Sequence, residues 1–310
     1  MNAHLVYRGL AATLLFGGAS LSALAAPDCA GTILGQIGGV KQAWKLSDGG
    51  IAAFAKLNIN IDGYGRAYHI KNAPGYLISL CNAGRVHKPD GSSYEGAASD
   101  SICTGRFMTD VAAIQAAGWK DPAVGAIQWY GILGTDSATI NGKKIDHVVP
   151  VLQQDGSGFA VSPTALADAS ISDAANQSRY VNPLHIPAAV VPDALIGQGV
   201  AMGSFGVAYY TKKQTPVPFV VGDAGPRIGE GSVALARLAS ALPLKDDIKK
   251  SERYAGQVET PDVLWIFFKD KPARFDSHNE NATIEKAKAA FKTWGGDSRL
   301  QACVTAVPRN

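Results

Sequence analysis

The passage from Pro218 to Leu242 constrains this chain most, because an apolar run, a glycine-rich connection and a helix-forming run follow one another without a gap. Pro218 to Val221 (PFVV) has the β-branched and aromatic content of a buried strand. Val233 to Leu242 (VALARLASAL) is rich in helix formers and stops before Pro243. Ser232 is the natural N-cap, since its hydroxyl can accept an orphan amide of the first turn. The connection holds two carboxylates seven residues apart, Asp223 and Glu230. Asp223 is therefore expected at a strand end and Glu230 just ahead of a helix, which fixes two acids on rigid supports facing one cleft. Such a pair suits glycosidic cleavage, in which one carboxyl protonates the leaving oxygen while the other activates water or attacks the sugar. The plainer reading of the same residues is a turn aspartate and a glutamate favoured by the helix dipole.

Elsewhere the chain reads as many short strands. Ala53, Ala55, Leu57, Ile59 and Ile61 alternate with Phe54, Lys56, Asn58 and Asn60, the pattern of a half-buried strand. It ends at the turn Asp62-Gly63, which puts Asp62 where site residues often sit. Residues 84–106 are polar and glycine-rich and read as a loop. A short helix is expected over Val111 to Ala117, capped by Thr109 or Asp110 and closed by Gly118. Ala126 to Leu133 reads as an inner strand, and Asn141-Gly142 between two strand-like runs signals a hairpin. Ser162-Pro163-Thr164 leads into a helical turn near Ala165 to Ala169, and Pro183 and Pro187 confine Tyr180 to Val191 to an edge or irregular strand. Met202 to Tyr210 and Pro218 to Val221 are spaced as a hairpin, and Val263 to Phe268 (VLWIFF) is a fully buried strand by composition. Ile284, Ala287, Phe291 and Trp294 share the face of a C-terminal helix that Gly295-Gly296 stops. The sum is a β-rich α+β fold, a six-stranded β-barrel-like core with helical insertions.

The first 25 residues have Arg8 as their only lysine or arginine and end in Ala23-Leu24-Ala25, the form of a secretory signal cleaved near Ala25. Residues 26–310 then form a single secreted domain with no membrane span. Four cysteines in an oxidising compartment predict two disulfides, for which three connectivities exist. Cys81 with Cys103, closing a loop, and Cys29 with Cys303, tying the termini, is the favoured pairing. No Cys-x-x-Cys or His/Cys cluster suggests a metal. The formal charge of +3 comes without charge runs or a basic stripe, which argues against a nucleic-acid partner. Neither a nucleophile elbow nor a dinucleotide fingerprint is present.

The run Asp223 to Leu238 (DAGPRIGEGSVALARL) resembles the signature of the family 75 glycoside hydrolases, the fungal-type chitosanases, whose bacterial members carry a D-x-G-P, G-E-G-S, A-L-A pattern. Further segments agree in order: Asn60 to His69 (NIDGYGRAYH), Gly158 to Asp168 (GFAVSPTALAD), Arg179 to Pro192 (RYVNPLHIPAAVVP) and Asp262 to Phe268 (DVLWIFF). The resemblance spans residues 50–270. It implies a secreted, monomeric, endo-acting hydrolase of β-1,4 bonds in chitosan, inverting and without a cofactor, with the essential Asp and Glu at Asp223 and Glu230. The family often has further aspartates where Asn58 and Asn60 stand here, leaving Asp62. Tyr64, Tyr68, His69 and Tyr180 lie beside the polar motif residues and complete the expected substrate cleft. Which carboxyl is the acid is open at this level, because the helix N-terminus holds Glu230 ionised while apolar burial acts the other way. Two other readings stand: a polysaccharide-binding or envelope protein without activity, and a hydrolase of another amino sugar polymer.

Overall fold

A computed structural model of the chain describes Met1, residues 28–96, Ser99 and residues 102–309; the expected signal lies outside the described residues. The strands are β1 (Gly31–Ile37), β2 (Val40–Leu46), β3 (Ile51–Asn60), β4 (Gly84–His87), β5 (Ser93–Glu95), β6 (Ala126–Trp129), β7 (Gly134–Ile140), β8 (Lys143–Pro150), β9 (Ala188–Val191), β10 (Phe205–Tyr210), β11 (Thr215–Ala224), β12 (Glu230–Ser232) and β13 (Val258–Phe267). The helices are α1 (Phe107–Ala116), α2 (Asp193–Ile196), α3 (Val233–Ala239), α4 (Glu280–Trp294) and α5 (Gly296–Ala306).

Six strands close a barrel in the order β3-β12-β9-β11-β10-β13, with β13 pairing back onto β3. The β1–β2 hairpin extends from the first residues of β3, on the edge that β12 occupies further along. Because successive side chains on a strand point to opposite faces, the barrel strands sort into two packed layers. Ala53, Ala55 and Leu57 of β3 join Phe219 and Val221 of β11 and Trp265 and Phe267 of β13 in one cluster, which α3 completes with Leu235, Ala236 and Ala239. The alternate residues, among them Phe54, Val207, Val220, Leu264 and Ile266, face a second cluster built with Ala287 of α4 and Leu300 and Cys303 of α5. Residues between β3 and β9 form an insertion with its own core, centred on Leu80, Phe107, Ile127 and Trp129 and joined to the barrel through Ile61, Leu184 and Val233.

Several expected elements take a different form. The strand near Ala53 begins at Ile51 and is covered on both faces over its first half, because Ala52 and Phe54 join the buried cluster that also holds residues of α4 and α5; only Lys56 and the residues from Asn58 onward are partly open. The expected loop 84–106 contains the β4–β5 hairpin, whose turn is closed by Lys88 N–H donating to Ser92 O. Helix α1 starts at Phe107, and Thr109 sits inside it, donating to Gly105 O rather than capping. Ala165 to Ala169 is not helical: Ala167 bridges Tyr180 in extended form. The prolines at 183 and 187 precede β9, a central barrel strand between β12 and β11, so they cost it no ladder bonds. Gly295, at φ +130°, ends α4 after Trp294 as expected, but a second C-terminal helix, α5, then follows from Gly296. The Asn141-Gly142 hairpin, the β10–β11 hairpin and the burial of Val263 to Phe268 agree with the sequence reading.

Both favoured disulfides form, Cys29–Cys303 and Cys81–Cys103. Among the described residues no helix is long and apolar enough to cross a membrane.

Candidate active site

Asp223 is the penultimate residue of β11 and Glu230 the first of β12, and both pair in register with Val190 of β9, from opposite sides. Two inter-strand spacings therefore separate them, roughly 10 Å between Cα atoms, and in-register partners share a face of the sheet. That face is the outer wall of the barrel, since Ala189 and Val191 on either side of Val190 point into the inner cluster. Two local features produce this alignment. A register shift between Val221 and Asp223 displaces Gly222 and turns Asp223 onto the outer row. Gly229, at φ +107°, brings the chain so close to β3 that a Cβ there would stand 2.9 Å from Lys56 O. The glycine-rich connection is thus a return that docks Glu230 as a strand against Asn58.

Loops of the insertion cover this patch and make a pocket lined by Asn60, Asp62, Thr164, Val181, Asp223 and Ser232, among others. Asp223 Oδ1 accepts the backbone N–H groups of Ala165 and Ala224, both at 2.9 Å, and Oδ2 accepts Asn60 Nδ2–H at 3.0 Å. Asp62 Oδ1 receives Tyr68 Oη–H at 3.0 Å and lies 3.4 Å from Ser162 Oγ. Glu230 pairs with the exposed Arg227, Nε to Oε1 3.1 Å. Ser232 caps α3 as expected, accepting Leu235 N–H at 3.1 Å, and its hydroxyl also donates to Ile186 O at 2.7 Å.

All three carboxyls are pushed above the ordinary range, chiefly by burial. Burial dominates at Asp62, the charge of Asp223 adds to it, and the hydrogen bonds from Tyr68 and Ser162 oppose it. For Asp223 the burial effect is countered by the three N–H donors. For Glu230 it is countered by Arg227 and reinforced by Asp223. Tyr68 is itself driven up by burial and by the neighbouring Asp62, so its phenol stays a donor. Between the unfolded carboxylate pKa of about 4 and the raised native values, the folded chain holds more protons than the unfolded one. Stability therefore falls as pH rises through that window. Asp62→Asn is expected to raise the melting temperature relative to wild type at neutral pH, with the gain vanishing below about pH 3, where Asp62 is protonated in both states. Thermal unfolding across pH checks this; a gain independent of pH would contradict it.

Of the other expected cleft residues, Tyr68 is brought to the site through Asp62. Tyr64 turns to Asp247, donating its hydroxyl at 2.8 Å, and burial with that partner pushes it up to about 12. His69 is buried, its Nδ1 accepting the N–H groups of Lys71 and Ala73 and its Nε2 facing Ser157 O. Tyr180 donates to Ala174 O at 2.8 Å. Neither His69 nor Tyr180 bonds to the carboxyl cluster in these contacts. Sequence reasoning missed the Ala165 amide, Ser162 and Arg227 as site groups, and took Asn60 only as a departure from a pattern. A backbone donor leaves no signal in sequence, whereas Arg227 at three residues before Glu230 was a readable pairing.

Away from this pocket, Asp168, Asp276 and His278 offer ligand atoms within 4.8 Å of one another. The buried Asp168, however, already accepts four bonds, two each from Ser170 and Ser277, and reads as the tether of the segment before α4. Compared with models of known protein families and with curated proteins, the chain matches none of them.

Proposed function

We propose that this protein is a secreted glycoside hydrolase that cleaves β-1,4 bonds of a glucosamine polymer by inversion, with Asp223 and Glu230 as its acid–base pair. The shared pairing of both acids with Val190 carries the reading. Two carboxyls on one face, two strands apart, leave room for a water between them, as the ~6.5 to 9.5 Å separation of inverting enzymes requires. The resemblance of several ordered segments to motifs of the fungal-type chitosanases supports the same assignment. Asp223, held by three N–H donors, suits the base that takes a proton from water. Glu230, raised by burial and by its neighbour's charge, suits the acid that protonates the leaving oxygen. Two carboxyls and one water balance the reaction, so the scheme uses no cofactor and one copy of the chain suffices.

One observation favours a related substrate. A groove runs along the outer face of β3 past Asn58 and Arg227 and is flanked by Lys41 and Lys56. Lys56 is paired with Glu259 and Arg227 with Glu230, so Lys41 supplies the positive charge that disfavours a fully deacetylated polymer and suits an acetylated or acidic amino sugar chain. Reducing-end release from chitosan of graded acetylation, run beside a binding measurement, tests the proposal. New reducing ends, first appearing as the α-anomer, are expected. Binding with no new ends would replace the hydrolase with a non-catalytic polysaccharide binder, and neither binding nor cleavage on any polymer would reject both.

A further inference from the structure

The amide of Asn60 has only one orientation that satisfies its neighbours. Its Oδ1 lies 2.7 Å from the backbone N of Asp62, and a backbone N–H only donates, so that atom must be the oxygen. Its Nδ2 is then a donor, and it meets Asp223 Oδ2 at 3.0 Å. With Ala165 and Ala224 on the other oxygen, Asp223 is surrounded by three groups that can only donate, an environment built for an anion. Asp62 is treated differently. Its contacts on Oδ1 are the hydroxyls of Tyr68 and Ser162, and no described residue hydrogen-bonds its Oδ2. Both aspartates line the same pocket, where two like charges do not readily coexist.

We propose that Asn60 decides which of the two aspartates carries the proton: by donating to Asp223 it fixes that residue as the carboxylate and leaves Asp62 as a neutral acid whose proton faces the pocket. The other charged or titratable groups near the pair do not reverse this arrangement. Glu230 on β12 adds negative charge, Arg227 is engaged with Glu230, and Tyr68 and Tyr130 from the insertion are held as neutral phenols by burial. Burial and the charge of Asp223 act on Asp62 in the same direction. An aspartate at position 60 would keep the contact to the Asp62 amide but turn an acceptor toward Asp223. Asn60 is thus a positioning residue that acts through Asp223. Its consequence for turnover rests on the glycosidase reading; its effect on the proton does not.

Infrared spectra of protein carrying ¹³C-labelled aspartate test the proton's place without any assay of activity. At about pH 6, above the ordinary carboxylate range, the isotope-shifted band of a protonated aspartate is expected in wild type and should lose intensity in Asp62→Asn. Unchanged intensity in Asp62→Asn overturns the proposal. Asn60→Asp should add a second protonated aspartate at the same pH and move the acid limb of the pH–rate profile upward by about one unit or more. That shift is a roughly tenfold loss of rate below the new limb, with recovery above it. Asn60→Ser keeps an acceptor for the Asp62 amide and adds no charge, so its limb should move less. An Asn60→Asp profile superimposed on wild type would also overturn the proposal. If wild type cleaves no glycan, the hydrolase reading falls, while the infrared result still decides where the proton lies.

Discussion

Asp223→Asn and Glu230→Gln are each expected to lower glycan hydrolysis by at least ~10²-fold, the low end for losing a general acid or base, while the protein stays folded. The two amide swaps conserve volume, and the surroundings of each acid predict the side effects. In Asp223→Asn the carbonyl can still accept from Ala165 and Ala224, but the new NH₂ would face the NH₂ of Asn60. That lost charge-assisted bond costs about 1.5 to 3 kcal/mol, too little to unfold a barrel covered on both faces. Glu230→Gln keeps a carbonyl for Arg227 and loses only the charge and the proton. Rates on chitosan of matched acetylation, with circular dichroism to confirm the fold, check both. Near-normal turnover in either variant would remove that residue from the acid–base pair. Loss of turnover in Asp62→Asn alone would move the acid role to Asp62.

Replacing Cys29 and Cys303 by serine is expected to destabilise the protein by ~2 to 5 kcal/mol, measured by denaturant unfolding. The bridge joins residues 274 positions apart, so it restricts the unfolded chain more than the 22-residue Cys81–Cys103 loop does. It also pins α5, whose Leu300 and Cys303 cover the outer faces of the barrel strands. Other bonds hold the termini as well, since Arg299 donates to Asp28 O and pairs with Asp48, and Trp44 Nε1–H reaches Cys29 O. A loss well under ~1 kcal/mol would assign the docking of the termini to those contacts and to apolar packing rather than to the crosslink. Thiol titration of the denatured, unreduced protein should find no free thiol in wild type.

Local sequence carried the elements whose signals are local. The Asn141-Gly142 turn, the Ser232 cap, the existence of strand β3 and the apolar run of β13 each follow from residues within one turn or one strand, and the structure contains all four. Pattern reading also reached the closed six-stranded barrel and both disulfide pairs. It stumbled where packing from elsewhere decides the outcome. Whether β3 is open on one face depends on α4 and α5, more than 200 residues further along, and β9 became a central strand because its prolines fall just before it rather than within it.

The candidate site divides along the same line. The sequence alone placed Asp223 at the end of a strand, Glu230 beside a helix and Asp62 at a turn, because glycine, proline and capping residues dictate such local geometry. Only the tertiary structure put the two acids on either side of Val190, closed the loop of Ala165 over Asp223 and turned Asn60 toward it. The reason is physical. A carboxylate's charge state depends on burial and on donors arriving through space, and these come from strands and backbone amides that lie far apart in the chain and have no side-chain signature.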